Sequence, residues 1–292
     1  MRVVLFGGTG WLGRQVLAEL NAGPEVTEVV PVPRAAAELG TAGVGDLAGL
    51  LASLSPDAVV NCAGAVAGDA LTMIGVNARG PATLCAALAA AAPHARLVHL
   101  GSAGEYGAVA RDVPVTESAP TCPQGLYGAS KLAGSLAVAQ SALDAVVLRV
   151  FNVIGPGAPA TSLPGRLVHE LRTADPAGVI RTGTLAAVRD FVDARDIARA
   201  VALAVTTRCP DGALPRVLNI AGGRAVPVRA LVEGLVEAAG FDGRIEEAAE
   251  LDSARSSGVP WQQADVSAAD RALGWRPELT LAQSLKDMWA EG

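Results

Sequence analysis

Residues 2–13 read Arg2-Val3-Val4-Leu5-Phe6-Gly7-Gly8-Thr9-Gly10-Trp11-Leu12-Gly13, and this stretch decides the fold. A five-residue apolar run stops at a glycine pair, the pattern of a buried strand ending in a turn. The period then changes. Trp11, Leu12, Val16, Leu17 and Leu20 recur at helical spacing until Gly23-Pro24. Glycines 7, 10 and 13 sit at the junction. They let the backbone approach a bound pyrophosphate, whose charge falls on the N–H groups that open the helix. Their spacing is Gly-x-x-Gly-x-x-Gly, and glycine supplies 33 of the 292 residues. The triplet therefore gains its weight from its place between a strand and a helix.

The same alternation continues. Apolar runs at 26–32, 58–62, 96–100 and 145–150 read as strands. Helical patterns cover 46–54, 69–92 (with a break expected at Gly80-Pro81) and 126–142. Short apolar strands alternating with helices imply a parallel sheet covered on both faces. Right-handed crossovers then give an α/β, doubly wound Rossmann fold. After Phe151 the rhythm is less regular. Helices are expected at 163–173, 193–206, 227–239 and 280–290, and strands at 189–192 and 217–220. This divides the chain into a dinucleotide-binding domain, 1–150, and a smaller substrate-binding part, 151–292, some of whose segments return to the first domain.

Composition narrows the function. Hydrophobic types make up 51% and charged types 18%, which excludes disorder. The net charge of −6 is spread along the chain, with 8 basic against 11 acidic residues in 1–150 and 15 against 18 in 151–292. Such a surface does not attract nucleic acid or an anionic membrane. The apolar stretch 80–95 is too short to span a bilayer and carries Pro81 and Pro93. Residues 1–7 read as a strand and not as a signal peptide. Cys62, Cys85, Cys122 and Cys209 are far apart, with no CxxC, and His94, His99 and His169 form no metal-ligand spacing. No metal site is expected, and reduced thiols in the cytoplasm are the simplest reading. The three histidines read as packing or surface residues, and Trp261 and Trp275 as packing residues of the C-terminal part.

A site that prefers NAD places a carboxylate about 20 residues beyond the glycine loop, on the ribose diol. Here the second strand runs into Pro33-Arg34 with no acid, and a guanidinium suits a 2′-phosphate. NADP(H) is expected in preference to NAD(H), with Arg34 on that phosphate and Arg14 as a second candidate. The chain has only two tyrosines and two lysines, and Tyr127 and Lys131 lie four apart in Tyr-Gly-Ala-Ser-Lys. On a helix they share one face. A neighbouring ammonium stabilises phenolate and draws a tyrosine from about 10 toward working pH. Ser102 follows the strand at 96–100. Strand carboxyl ends line the ligand crevice of such a sheet, so its hydroxyl is placed to hold the reacting oxygen. Tyr127, Lys131 and Ser102 are the candidate catalytic residues.

These motifs together resemble the extended short-chain dehydrogenases/reductases that act on nucleotide sugars as epimerases, dehydratases or reductases. The resemblance covers nearly the whole chain. It includes Gly7-Gly8-Thr9-Gly10-Trp11-Leu12-Gly13 and Tyr127 with Lys131, Gly45-Asp46-Leu47, Asn61-Cys62-Ala63-Gly64 and Val76-Asn77-Ala78. It continues through Arg149-Val150-Phe151-Asn152-Val153-Ile154-Gly155-Pro156-Gly157, Arg189-Asp190-Phe191-Val192-Asp193, Asn219-Ile220-Ala221-Gly222-Gly223 and Gly274-Trp275-Arg276-Pro277. It implies cofactor contacts from Gly7, Thr9, Gly10, Trp11, Leu12 and Gly13, from Asp46 and Leu47 at the adenine, and from Cys62, Ala63 and Gly64 near a ribose. Asn77, Tyr127 and Lys131 complete that set, with Lys131 holding the nicotinamide ribose. Ser102, Ala103, Asn152 and Arg189 are the implied substrate contacts, although Arg189 reads equally well as an ion-pair partner of Asp190. The implied chemistry is hydride transfer at a sugar carbon with Tyr127 moving the proton.

Within that group, 4,6-dehydratases carry an acid pair directly after the serine or threonine. Here Ala103-Gly104 stands there, and Glu105 comes one place too late. The 3,5-epimerase-reductases place a cysteine close after the serine, and none is present; Cys122 reads as a passive loop thiol. The remaining readings are an NADPH-dependent reductase of a nucleotide-linked 4-keto-6-deoxy sugar, closest in motif to reductases of GDP-4-keto-6-deoxymannose type, and an NAD-dependent 4-epimerase. A non-catalytic NADP(H)-binding sensor or scaffold is a third, disfavoured because tyrosine and lysine are both retained. The small-residue helices 81–92 and 128–141 match those that form a four-helix dimer interface in the family, so the resemblance implies a homodimer.

Overall fold

Alternating side chains of the first strand pack on opposite faces of one sheet, and the rest of the fold follows from that. The computed structural model describes residues 1–208, 213–248 and 259–291; Cys209 lies outside them. Its first 150 residues form β1 (Arg2–Phe6), α1 (Trp11–Ala22), β2 (Glu28–Val32), α2 (Val44–Leu54), β3 (Ala58–Asn61), α3 (Ala70–Ile74), α4 (Gly80–Ala91), β4 (Arg96–Ser102), α5 (Leu126–Ala139) and β5 (Ala145–Val150). The remainder forms β6 (Asn152–Ile154), α6 (Leu163–Thr173), β7 (Val179–Thr182), β8 (Val188–Arg189), β9 (Phe191–Asp193), α7 (Ala194–Thr206), β10 (Val217–Ile220), β11 (Val226–Pro227), α8 (Val228–Ala239), β12 (Arg244–Glu247), α9 (Ser267–Leu273) and α10 (Leu281–Glu291).

The central sheet has six parallel strands in the order β10-β5-β4-β3-β1-β2. Val3 and Leu5 face one core with Val16 and Leu20 of α1, Ile197 and Val201 of α7, and Leu273 of α9. Val4 and Phe6 face the other with Leu47 and Leu51 of α2, Leu84 and Leu88 of α4, and Val138 of α5. A third core, built on Leu167, Leu171, Leu231, Leu235 and Leu285, holds α6, α8 and α10 together. The chain reverses its direction of travel across the sheet between β1 and β3, which is where such sheets open a ligand crevice. Residues past 150 supply β10 and α7 to the first layer, the latter packed on α1.

Three of the expected elements take a different form, and β6, β7, β11, β12 and α9 are added to the pattern. The helix expected at 69–92 does not break at Gly80-Pro81; the backbone stays helical from Ala70 to Ala91. Instead the backbone widens into a π-helical turn at Gly75–Arg79. The strand at 96–100 runs on to Ser102, so the serine is the last residue of β4. The strand expected at 189–192 is two short pieces: β8 pairs with β11 and β9 pairs with β6.

Candidate active site

The glycine loop is closed too tightly for side chains. Gly7 has φ +78°, and a Cβ there would lie 2.5 Å from the Ala63 nitrogen. A Cβ on Gly13 would lie 2.0 Å from the Gly7 oxygen. The start of α1 has no side-chain cap and no acid in its first turn, so its N–H groups suit a bound anion. Trp11 extends away from this role: its indole Nε1 donates to the Pro156 carbonyl at 2.8 Å, tying the loop to the C-terminal part. Leu12 packs against the core. Arg14 donates to the Thr9 carbonyl at 2.7 Å and so braces the loop itself.

Beside the loop lies a cleft of about 340 Å³ that brings together Gly7, Thr9, Arg34, Cys62, Ala63 and Gly64. It also holds Glu38, which the sequence reading passed over. Glu38 accepts from the Gly40 N–H at 3.3 Å and pairs with the exposed Arg34 one turn back. An acid is therefore present beyond β2 after all, six residues past its end; the i,i+4 spacing from Arg34 was the available signal. Asp46 lines an adjoining hollow that shares Ala37 and Glu38 with the cleft. The side chain of Leu47 also lies in the second core. Asn77 stands in the π-helical turn, and its side chain is committed to protein. It binds the Ala65 N–H at 2.9 Å, the Ala65 carbonyl at 2.8 Å and the Ser130 hydroxyl at 3.1 Å. It thus shapes the cleft by clamping the segment after Gly64.

Helix α5 reaches the site because it can approach closely. A Cβ on Gly128 would lie 2.3 Å from the Gly104 oxygen, and one on Gly134 would lie 2.0 Å from the Asn77 oxygen. Gly104 in turn marks where Ser102 and Tyr127 meet. A Cβ built there would be 3.4 Å from Ser102 Oγ and 3.6 Å from the edge of the Tyr127 ring. The hydroxyl and the phenol ring therefore flank one point at the carboxyl end of β4. Ser102 Oγ accepts from the Gly104 N–H at 3.1 Å. Lys131 is buried, and its Nζ donates to the Leu100 carbonyl at 2.5 Å. That Nζ lies 3.9 Å from where a Cβ on Gly64 would stand, which brings the ammonium beside a residue that lines the cleft.

Electrostatics follow burial. Desolvation lowers the Lys131 pKa, opposed by the charge of Glu105. Burial, helped by Lys131, holds His99 well below its ordinary range, and it pushes the Cys62 thiol up to about 12. Asn61 Nδ2 donates to His99 Nδ1, 3.2 Å away. Of the expected substrate contacts, Asn152 Nδ2 donates to the Asp190 carbonyl at 3.0 Å. Arg189 is buried and donates to the Val188 carbonyl at 2.9 Å, while the Asp190 carboxylate accepts from the Ala264 N–H at 3.0 Å. The two do not form the ion pair that was one reading of the sequence. Burial raises Asp190 to about 7. Ala103 is also buried, and its carbonyl takes a hydrogen bond from Gln262 Nε2 at 3.1 Å, a tie from the C-terminal part with no signal in the sequence.

A glycine-lined crevice at the turning point of a parallel sheet, with a Ser–Tyr–Lys set at its edge, defines an NAD(P)-dependent oxidoreductase or epimerase of the extended short-chain type. Residues 3–221 match the model of the NAD dependent epimerase/dehydratase family, and the chain belongs to that family. It is 37% identical to a dTDP-6-deoxy-L-talose 4-dehydrogenase (NAD(P)(+)) of Kitasatospora kifunensis, over 99% of this chain and 94% of the relative. It is 31% identical to a UDP-glucose 4-epimerase of Azospirillum brasilense, over 95% and 87%. Among solved structures, RMD from Pseudomonas aeruginosa complexed with NADPH matches with a TM-score of 0.83 at 24% identity, over 99% and 98% of the two chains. That likeness is one of fold. No described helix is long and apolar enough to cross a membrane.

Proposed function

We propose that the protein is an NADPH-dependent reductase of a nucleotide-linked 4-keto-6-deoxy sugar. The observation that carries this reading is the meeting of Ser102 Oγ and the Tyr127 ring at Gly104, with Lys131 Nζ beside Gly64 of the cleft. The fit of the dinucleotide rests on the closed glycine loop and the uncapped start of α1. When bound, the nicotinamide supplies the hydride. Ser102 then hydrogen-bonds the sugar carbonyl oxygen, Tyr127 donates its proton to that oxygen, and Lys131 holds the ribose and steadies the phenolate left behind. Asn152 and Arg189 are the residues we assign to the nucleotide diphosphate, on the resemblance to the family. Glu105 is turned inward onto Arg149, so it does not serve as the acid that an elimination requires. The name of the Kitasatospora relative favours the 4-position of a 6-deoxy sugar, with a dTDP-linked ketone as the first substrate to try.

One observation favours the second reading, an NAD-dependent 4-epimerase: Glu38 lines the cleft, and a carboxylate there suits a ribose diol. The deciding experiment is NADPH consumption over GDP-, dTDP- and UDP-linked 4-keto-6-deoxy sugars. Oxidation of NADPH by one of them is expected. Interconversion of 4-hydroxy epimers with NAD and no net consumption would establish the epimerase instead. Tyr127→Phe is expected to lower kcat by about a hundredfold or more while sparing NADPH affinity. Undiminished turnover would remove Tyr127 from the chemistry, and no turnover by the unaltered protein would favour a binding role.

A further inference from the structure

Beneath Ser102 lies a buried polar cluster that the proton transfer itself does not touch. Glu105 closes the 3₁₀ turn Ala103–Glu105 and forms a reciprocal capping box with Ser102. Its side chain is fully buried. Oε1 accepts from the Ser102 N–H at 2.8 Å and from the Ser135 hydroxyl at 2.7 Å, and Oε2 accepts from Arg149 Nε at 2.7 Å. A Cβ on Gly101 would lie 2.7 Å from Oε1, so glycine at 101 makes room for the carboxylate under the strand end. Arg149 then covers the Tyr106 ring at 4.6 Å, and the Tyr106 hydroxyl donates to Asn219 at 2.7 Å.

We propose that Glu105 is the positioning residue of this site: its carboxylate fixes the end of β4 against α5 and sets its negative charge one helical turn from the Lys131 ammonium. The proposal rests on the reading of Tyr127 and Lys131 as the proton-transfer pair. Ser135 lies one turn beyond Lys131 on α5, so one carboxylate oxygen binds both the strand that ends in Ser102 and the helix that carries Tyr127 and Lys131. The spacing of hydroxyl and phenol passes through it.

The charges point the same way. Three groups couple electrostatically to Lys131: Glu105 of the turn, Cys62 just past β3 and His99 of β4. Arg149 of β5 and Tyr106 stand behind Glu105, and Tyr127 is on the same helix. Burial keeps His99 neutral, Cys62 a thiol and Tyr106 a phenol. In that set Glu105 is the one anion against two cations. A buried cation loses its proton readily unless a counter-charge holds it.

The chain has two lysines, Lys131 and Lys286, so protein labelled with lysine carrying ¹³C at Cε gives two side-chain signals, with Lys286 as internal reference. In E105Q, which keeps the shape and removes the charge, the Lys131 signal is expected to titrate at lower pH while Lys286 is unmoved. The alkaline limb of kcat/KM should move down with it, with kcat reduced about tenfold or more. In E105D, which keeps the charge and shortens the reach, Lys131 should titrate near its original midpoint, while the Ser102 amide exchanges faster and kcat falls. A folded E105Q whose Lys131 midpoint is unchanged overturns the proposal. So does an E105D that retains full kcat and full protection of the Ser102 amide; where E105Q does not fold, E105D decides alone. The titration needs no substrate, so a wrong assignment of the sugar leaves this test intact.

Discussion

Arg34 leaves β2 with its guanidinium in solvent and its Nε on the Glu38 carboxylate. The two side chains ask for different cofactors. A guanidinium gains most from a 2′-phosphate, through charge-assisted hydrogen bonds; a carboxylate gains from a ribose diol. An exposed ion pair is weak, so either partner is released at little cost. Arg34→Ala is therefore expected to raise KM for NADPH by about tenfold and leave KM for NADH nearly unchanged, as read from initial rates with each cofactor. An unaltered protein that binds NADH more tightly than NADPH would show that Glu38 and not Arg34 sets the preference.

The π-helical turn at Gly75–Arg79 is the element on which the cleft depends. Widening the helix by one residue brings Asn77 inward, where it satisfies both the N–H and the carbonyl of Ala65 and reaches Ser130 on α5. Such insertions interrupt helices at functional sites more often than elsewhere. The backbone of the same turn also admits Gly134 of α5 at contact distance. Asn77→Ala leaves the half-buried N–H and carbonyl of Ala65 without their side-chain partner. It should cost about 2 kcal/mol or more in unfolding free energy by urea titration and weaken cofactor binding, since the segment after Gly64 loses its clamp. Unchanged cofactor affinity in a destabilised variant would confine Asn77 to stability.

At the scale of the whole molecule, one face of the described residues lacks charge. Ala82, Ala86, Ala89 and Ala90 of α4 and Ala129, Ala133 and Leu136 of α5 are exposed side by side on two packed helices. Small residues allow a second pair of helices to approach closely, and a two-fold contact through this face would bury it. A homodimer is expected by sedimentation at micromolar concentration, and Ala133→Glu is expected to convert it to monomer by placing a charge at the seam. A monomeric unaltered protein at that concentration counts against the interface.

The strand-to-helix junction at 2–13, the apolar runs of the sheet and the Tyr127–Lys131 pair were all legible in the sequence, because each depends on neighbours within a few turns or on a period set by the backbone. Ser102 was legible for the same reason, at the end of one of those runs. What the sequence alone did not disclose joins residues far apart in the chain. Glu105 looked misplaced by one position, yet it lies on Arg149 and Ser135; Trp11 reaches Pro156; Gln262 reaches Ala103; Glu38 folds back over β2 into the cleft. The local pattern fixes which face of a strand or helix is apolar, since that follows from its period. Which buried polar groups find one another is decided only when the layers pack, because an unpaired group in a dry interior costs more than any local preference supplies.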